Sequence, residues 1–270
     1  MAYLLFDIGG TKTRLGLSHS GRKIDKAKTF ETSRDYDIAL KTFISVARDL
    51  LDGEKLDRVA GGVAAMFDKD HDHIFKSPNL RGWEGKNITS DLKKIFGDIV
   101  LVENDAALAG LGEATYGAGK GSKIVMYMTV STGVGGTRIV DGRIDEKVFD
   151  FEPGQQIIET GETLEKLISG VALEERFGKK AFEIPQSDPI WVQCAERLAT
   201  GLYNSILEWQ PEVVVLGGSM ILGDPSIPID ITEAKLKQLL DFYPSIPAMK
   251  KAALGAESGL YGGLAYMQQK

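Results

Sequence analysis

The chain has 270 residues, 43% hydrophobic and 26% charged, with a net charge of −6 and a pI near 5.3. That balance suits one large or two modest globular domains and speaks against a nucleic-acid surface, which needs an excess of basic residues. A single cysteine, Cys194, excludes an intrachain disulfide. No apolar run is long enough to span a bilayer. The start lacks the basic residues and cleavage site of a signal peptide, so a cytoplasmic location is expected.

In chain order, Tyr3–Asp7, Thr13–Leu17 and Lys23–Thr29 read as strands, joined by turns at Gly9-Gly10 and Ser20-Gly21. Tyr36–Leu51 carries Ile38, Leu40, Phe43, Ile44, Ala47, Leu50 and Leu51 at helical spacing. Arg58–Ala65 reads as a short apolar strand, and Ile88–Phe96 as a helix stopped by Gly97. "IVLVEND" is a buried strand ending in acid and amide, and Ala106–Ala114 follows as a helix. "SKIVMYMTV" is the next strand. "TGVGGTRIVDGRI" is a glycine-rich turn followed by a hairpin with Asp141-Gly142 at its tip. The remainder reads as mainly helical, except for the strand in "EVVVLGG". Three antiparallel strands, a helix, then a parallel strand and helix make an α/β pattern. It begins again at Lys123, so two similar halves with a cleft between them are expected.

The first turn brings Asp7, Gly9, Gly10, Thr11 and Lys12 together. Glycines expose backbone N–H groups to a bulky anion. Thr11 adds a hydroxyl donor and Lys12 a charge. Asp7 at the strand end suits a hydrated Mg²⁺. A tight structural turn is the alternative. "STGVGGT", Ser131 to Thr137, repeats the arrangement after a second buried strand, and "VVVLGGS" ends a third in glycines that would let an adenine lie against the backbone. The pattern is not a Walker loop, because no helix opens with G-x-x-x-x-G-K. Asp105 closes "IVLVEND" just ahead of a helix. It is placed for a general base that takes a hydroxyl proton during attack on phosphorus, with Asn104 holding a neighbouring hydroxyl. It also suits the N-cap of Ala106–Ala114, and the two roles are compatible.

These motifs together resemble the ROK family, the sugar kinases and related repressors of the actin–Hsp70–hexokinase superfamily. "FDIGGTKTRLGL" is similar to its first phosphate motif and "TVSTGVGGTRIVDGRI" to its second. "VENDAALAGLGEATYGAGKG" is similar to the stretch with the catalytic aspartate, and "PEVVVLGGSMILG" to the adenosine motif. "SPNLRGWEGKNI", "FEPGQ", "LEKLISGVALEERFG" and "ALGAESGLYGGLAY" resemble further family segments, in order along essentially the whole chain. The resemblance implies an α/β, two-domain, actin-like ATPase (ribonuclease H-like) fold with ATP and a hexose in the interdomain cleft. The first domain would comprise residues 1–112 and a returning C-terminal helix, 256–270. The second would comprise 113–255. It further implies that Asp105 is the base and that Asn79, Asn104, Glu152, Gln155 and Glu165 line the sugar. Asp7, Gly9, Gly10, Thr11 and Lys12 would face the phosphates and Mg²⁺. Thr132 and Gly133 would sit on their other side, and Gly217 and Gly218 would border adenosine.

The sequence departs from the family pattern in three places. Gln155 stands where the family has the histidine of Glu-x-Gly-His, and no cysteine lies between it and Glu165, so no zinc site is expected. Glutamine still donates and accepts, which preserves a sugar contact. The Gly-Pro pair before the sugar segment is replaced by "VAAMFD", and the region around the missing zinc is trimmed. "DKDHDH", Asp68 to His73, reads as a solvated hairpin tip in preference to a metal cluster. Cys194 reads as a buried apolar residue, and Trp83 as either core or sugar wall. The expected activity is ATP-dependent phosphorylation of a hexose, first of all at O6 of glucose. Fructose, mannose or an N-acetylhexosamine are the alternative acceptors. A non-catalytic sugar-binding or regulatory protein is the alternative class, disfavoured by Asp105, by both phosphate loops and by the early position of Asp7, which leaves no room for a helix-turn-helix domain ahead of it. No membrane or nucleic-acid partner is expected, and a homodimer is the commonest assembly.

Overall fold

The computed structural model of the protein describes residues 2–69 and 71–269. The chain forms two compact units. One comprises the chain up to Tyr116, the short segment Glu146–Asp150 and the chain from Glu257 onward. The other comprises Gly117–Asp145 and Phe151–Ala256.

The first unit is built on β1 (Ala2–Ile8), β2 (Lys12–Ser18), β3 (Lys26–Glu31), α1 (Tyr36–Leu51), β4 (Leu56–Val63), β5 (Met66–Phe67), β6 (Ile74–Lys76), α2 (Ile88–Phe96), β7 (Val100–Asn104) and α3 (Asp105–Thr115). Its five-stranded sheet runs β3-β2-β1-β4-β7. The first three strands pair antiparallel, and β4 and β7 lie parallel to β1. Alternation along β1 assigns its two faces. Leu4, Phe6 and Ile8 pack with Tyr36, Ala39, Phe43, Ala47 and Leu50 of α1 and with Ile88 and Leu92 of α2. Leu5, with Ala60 of β4, packs against Leu260, Leu264 and Met267 of the C-terminal helix. Asp35 caps α1 by accepting from the N–H of Ile38 at 3.0 Å, and Asp52 ends it in the left-handed conformation.

The second unit contains β8 (Ile124–Val130), β9 (Val134–Val140), β10 (Arg143–Ile144), β11 (Ile157–Glu159), β12 (Glu162–Thr163), α4 (Leu164–Ile168), α5 (Gly170–Phe177), α6 (Ile190–Trp209), β13 (Val213–Gly217), α7 (Ser219–Leu222), α8 (Ile229–Leu239) and β14 (Ala248–Lys251). The chain then ends in α9 (Ser258–Gln269), the helix already met in the first unit. The second sheet runs β10-β9-β8-β13-β14, with two antiparallel pairings and then two parallel ones. This is the strand order and sense of the first sheet, as the restart at Lys123 predicts. All five residues of β13 are buried, as befits a central parallel strand covered on both faces. Its core includes Met126, Met128, Leu198, Leu202, Val214 and Leu216, with Cys194 buried among them.

Several sequence expectations are corrected. The third strand begins at Lys26, not Lys23, because the N–H of Asp25 still bonds Leu17 O as part of the turn. Ile38 is 56% exposed; Phe43, Ala47, Leu50 and Leu51 of the expected stripe are buried, and Tyr36 and Ala39 continue it in the place of Ile38. The region after Ile144 is mainly helical, as expected, but β13 is not alone as a strand: β14 pairs with it at the sheet edge and β11 pairs with β12. The N-cap of α3 is Asn104, whose Oδ1 accepts from the N–H of Ala107 at 3.0 Å; Asp105 is the first helical residue. Trp83 belongs to the core. It is 2% exposed, stands edge-on to Tyr36 and donates Nε1–H to Ser33 O. The segment Asp68 to His73 does lie between the strands of a hairpin, β5 and β6, although Asp70 falls outside the described residues. Among the described residues no helix is long and apolar enough to cross a membrane.

Candidate active site

In the first unit, the β1–β2 turn is closed by the N–H of Gly9 bonding Lys12 O at 2.9 Å. Thr11 and Lys12 are exposed at its tip. Gly10 lies against Asn79, so that a Cβ there would come within 2.5 Å of the asparagine's own Cβ. The structure therefore brings the Gly9-Gly10 turn and Asn79 side by side. Asp7, at the end of β1, is paired in register with Arg14 of β2, whose Nη1 lies 3.3 Å from its Oδ2. Burial raises the Asp7 pKa, and the guanidinium opposes that rise.

Asp105 stands where β7 gives way to α3. Its Oδ1 accepts from the N–H of Ala106 at 2.9 Å. Burial first, and then the negative charges of Asp7 and Asp150, push its pKa up to about 7, against the opposing Ala106 N–H. A Cβ on Gly62 of β4 would lie 2.8 Å from the Asp105 Cα, so the neighbouring strand fixes the backbone beneath the carboxylate. Asn104 is committed on both sides. Its Oδ1 caps the helix, and its Nδ2 donates to Ala65 O at 3.1 Å. Asp7 and Asp105 are both raised by burial, and the Asp7 charge raises Asp105 further; hard carboxylate oxygens of this kind are donors that a Mg²⁺ ion fits.

In the second unit, Thr132 and Gly133 form the β8–β9 turn, closed by the N–H of Ser131 on Gly133 O at 2.8 Å. The N–H of Gly170, at the start of α5, bonds Ser131 O at 2.7 Å. Glu165, in the first turn of α4, accepts from the N–H of Val134 at 2.8 Å through Oε2, and its Oε1 lies 3.4 Å from Nε2 of Gln155. Glu165, Gln155 and the β8–β9 turn thus form one cluster, while Glu152 immediately precedes the short helical turn Pro153–Gln155. Gly217 ends β13 beside the Tyr127 hydroxyl. Gly218 has φ +89°, and a Cβ there would meet Val130 O at 2.2 Å, which leaves only glycine possible.

Sequence reasoning missed Arg14, Glu103, Lys147 and Asp150. Arg14 was within reach of register counting across the Gly9-Gly10 turn. Lys147 and Asp150 approach Glu103 from more than forty positions away, which no local pattern reports.

A model of the ROK family matches residues 3–147 and 159–270. A fructokinase from Lactococcus lactis subsp. cremoris is 25% identical over 259 residues, covering 91% of this chain and 87% of its own. Among solved structures, a ROK hexokinase from Thermus thermophilus superposes with a TM-score of 0.82 at 25% identity, covering 100% of this chain and 99% of that one. A ROK family glucokinase from Streptomyces griseus, in complex with glucose and AMPPNP, gives 0.82 at 21% identity with complete coverage of both. A ROK transcriptional regulator shares the fold too, with a TM-score of 0.77 at 16% identity over 99% of this chain and 78% of its own.

Proposed function

Since the chain belongs to the ROK family and has its actin-like ATPase fold, we propose that it is an ATP-dependent hexose kinase that transfers the γ-phosphoryl group to a sugar hydroxyl, glucose O6 being the first acceptor to test. The observation that carries this reading is Asp105, a carboxylate at the start of α3 whose pKa stands near 7. A base is most effective when its pKa lies close to the working pH. Asp105 accepts the proton of the attacking hydroxyl as the new O–P bond forms and ADP departs.

The first unit would supply the base, the Asp7–Thr11 turn and Lys12 for the phosphates, and Asn79 and Asn104 for the sugar. Asp7 would hold Mg²⁺ through water, and the ion, when bound, offsets phosphate charge. The second unit would supply Thr132 and Gly133 to the phosphates, Gly217 and Gly218 to adenosine, and Glu152, Gln155 and Glu165 to the sugar. Carboxylates suit that task because each accepts from two hydroxyls. Because Asn104 already uses Oδ1 and one amide proton internally, its contribution to a sugar is its second amide proton or the free lone pair on Oδ1. The two compact units are the two domains of this reading.

The test is ADP release from ATP–Mg²⁺ with glucose, fructose, mannose, N-acetylglucosamine and N-acetylmannosamine, against a control without sugar. Release that depends on one sugar supports the kinase and identifies the acceptor. A folded protein that releases no ADP above the control with any of them would refute it and favour a sugar-binding or regulatory member of the family.

A further inference from the structure

The unit that carries Asp105 also contains a buried charged cluster that the reaction above does not use. Lys147 has a side chain only 8% exposed. Its Nζ lies 3.1 Å from Oε1 of Glu103 and 2.7 Å from Oδ1 of Asp150, themselves 7% and 3% exposed. Burial pulls the lysine pKa down, but the charges of Glu103 and Asp150 outweigh it and raise it, so the group is an ammonium at neutral pH. The His71 imidazole reaches the same place; its ligand atom and those of Glu103 and Asp150 all lie within 4.8 Å of one another. Such a set would suit a metal ion, but the Lys147 ammonium already lies against both carboxylates. The chain supplies its own cation.

The segment that bears Lys147 is held by charge. Glu146–Asp150 belongs to the first unit, whereas the chain on either side of it belongs to the second. Its apolar residues do not anchor it, since Val148 is 64% and Phe149 53% exposed. The buried side chains of Lys147 and Asp150 do. Asp150 holds Lys147 from within the segment, and Lys147 carries that hold to Glu103 Oε1, which also accepts the N–H of Asn104 at 2.9 Å. Asn104 caps α3, and Asp105 comes next.

We propose that Lys147 is a positioning residue: through Glu103 Oε1 it fixes the peptide that carries Asn104, and with it the start of α3 on which Asp105 stands. The kinetic consequence rests on the kinase reading; the structural one does not. A buried carboxylate released from its cation turns toward water, and the Asn104 N–H then loses its acceptor.

The experiment compares Lys147→Met and Lys147→Arg with the parent protein. In Lys147→Met the expectation is a kcat at least tenfold lower with KM for ATP within twofold, and hydrogen exchange at the Asn104 and Ala107 amides at least tenfold faster. Lys147→Arg restores most of both, because it returns the cation. Should Lys147→Met fail to fold for want of a counter-ion, the triple variant Lys147→Met, Glu103→Leu, Asp150→Asn removes the orphaned charges together with the acceptor of the Asn104 N–H, and the same faster exchange at Asn104 and Ala107 is expected. Parent-like exchange at Asn104 in Lys147→Met, or in the triple variant if Lys147→Met does not fold, would overturn the proposal. If the parent protein shows no sugar-dependent ADP release, the kinase reading falls, and amide exchange at Asn104 alone decides the role of Lys147.

Discussion

Asp105 derives its basicity from its surroundings. An aspartate in water ionises near 3.8; here burial and the charges of Asp7 and Asp150 keep the proton on until about pH 7. Two predictions belong to this residue. Asp105→Asn should lower kcat by about 10²–10⁴-fold, the usual worth of a positioned base, with sugar affinity nearly unchanged by calorimetry. The second concerns stability. A carboxyl whose folded pKa is raised favours the fold while protonated, and that contribution is lost as pH climbs from about 4 through about 7. Ionised Asp105 therefore costs the fold up to about 4 kcal/mol, less where water screens it. Asp105→Asn should raise the melting temperature by several degrees at pH 8 and by little at pH 5. An equal shift at both pH values would refute the origin of the raised pKa. The sequence made Asp105 legible because an acid at the end of an apolar strand is a local pattern. It misassigned the cap, because Asn104 and Asp105 both suit that position and only backbone geometry separates them. The Lys147 cluster was hidden for a different reason: it joins residues distant in the chain.

At the scale of elements, α3 and α9 lie closer together than side chains allow. A Cβ on Gly262 would stand 1.8 Å from Leu108 O, and one on Gly112 2.3 Å from Ser258 O. The two helices are joined further by Ser258 Oγ–H donating to Glu113 at 2.8 Å inside the core. Gly262→Ala should force the helices apart and destabilise the protein by at least about 1–3 kcal/mol, the usual cost of overpacking, as read by denaturant midpoint. An unchanged midpoint would mean that the contact yields freely. Elements with strong periodicity and end signals were legible in advance: α2 between Asn87 and Gly97, and the β9–β10 hairpin, whose tip residues Asp141 and Gly142 both have positive φ. Those fixed by a partner were not. β14 is a strand because β13 offers it an edge, and three of its four residues are exposed, so nothing apolar advertises it. Ile38 misled for the converse reason: it fits the helical period yet faces solvent.

At the scale of the molecule, each unit has its own core and the same strand order, and the proposed ligands draw on residues of each. A ligand that binds only the folded state stabilises it by mass action, about 2.7 kcal/mol at one hundred times its dissociation constant. A non-hydrolysable ATP analogue with Mg²⁺ and the cognate sugar should each raise the melting temperature by several degrees. No rise with either would count against the binding roles assigned to both phosphate motifs. The repeated order was legible because hydrophobic runs and glycine turns recur from Lys123. The excursion of Glu146–Asp150 into the first unit was not, since composition does not record which body a short segment joins. One feature of the first unit also bears on how the protein is made. Leu5 and Ala60 are covered by Leu260, Leu264 and Met267, from the opposite end of the fold's chain order. The nascent chain must therefore carry that sheet face uncovered while the residues between Ala60 and Leu260 are made, a window in which a chaperone can hold it and a protease can reach it.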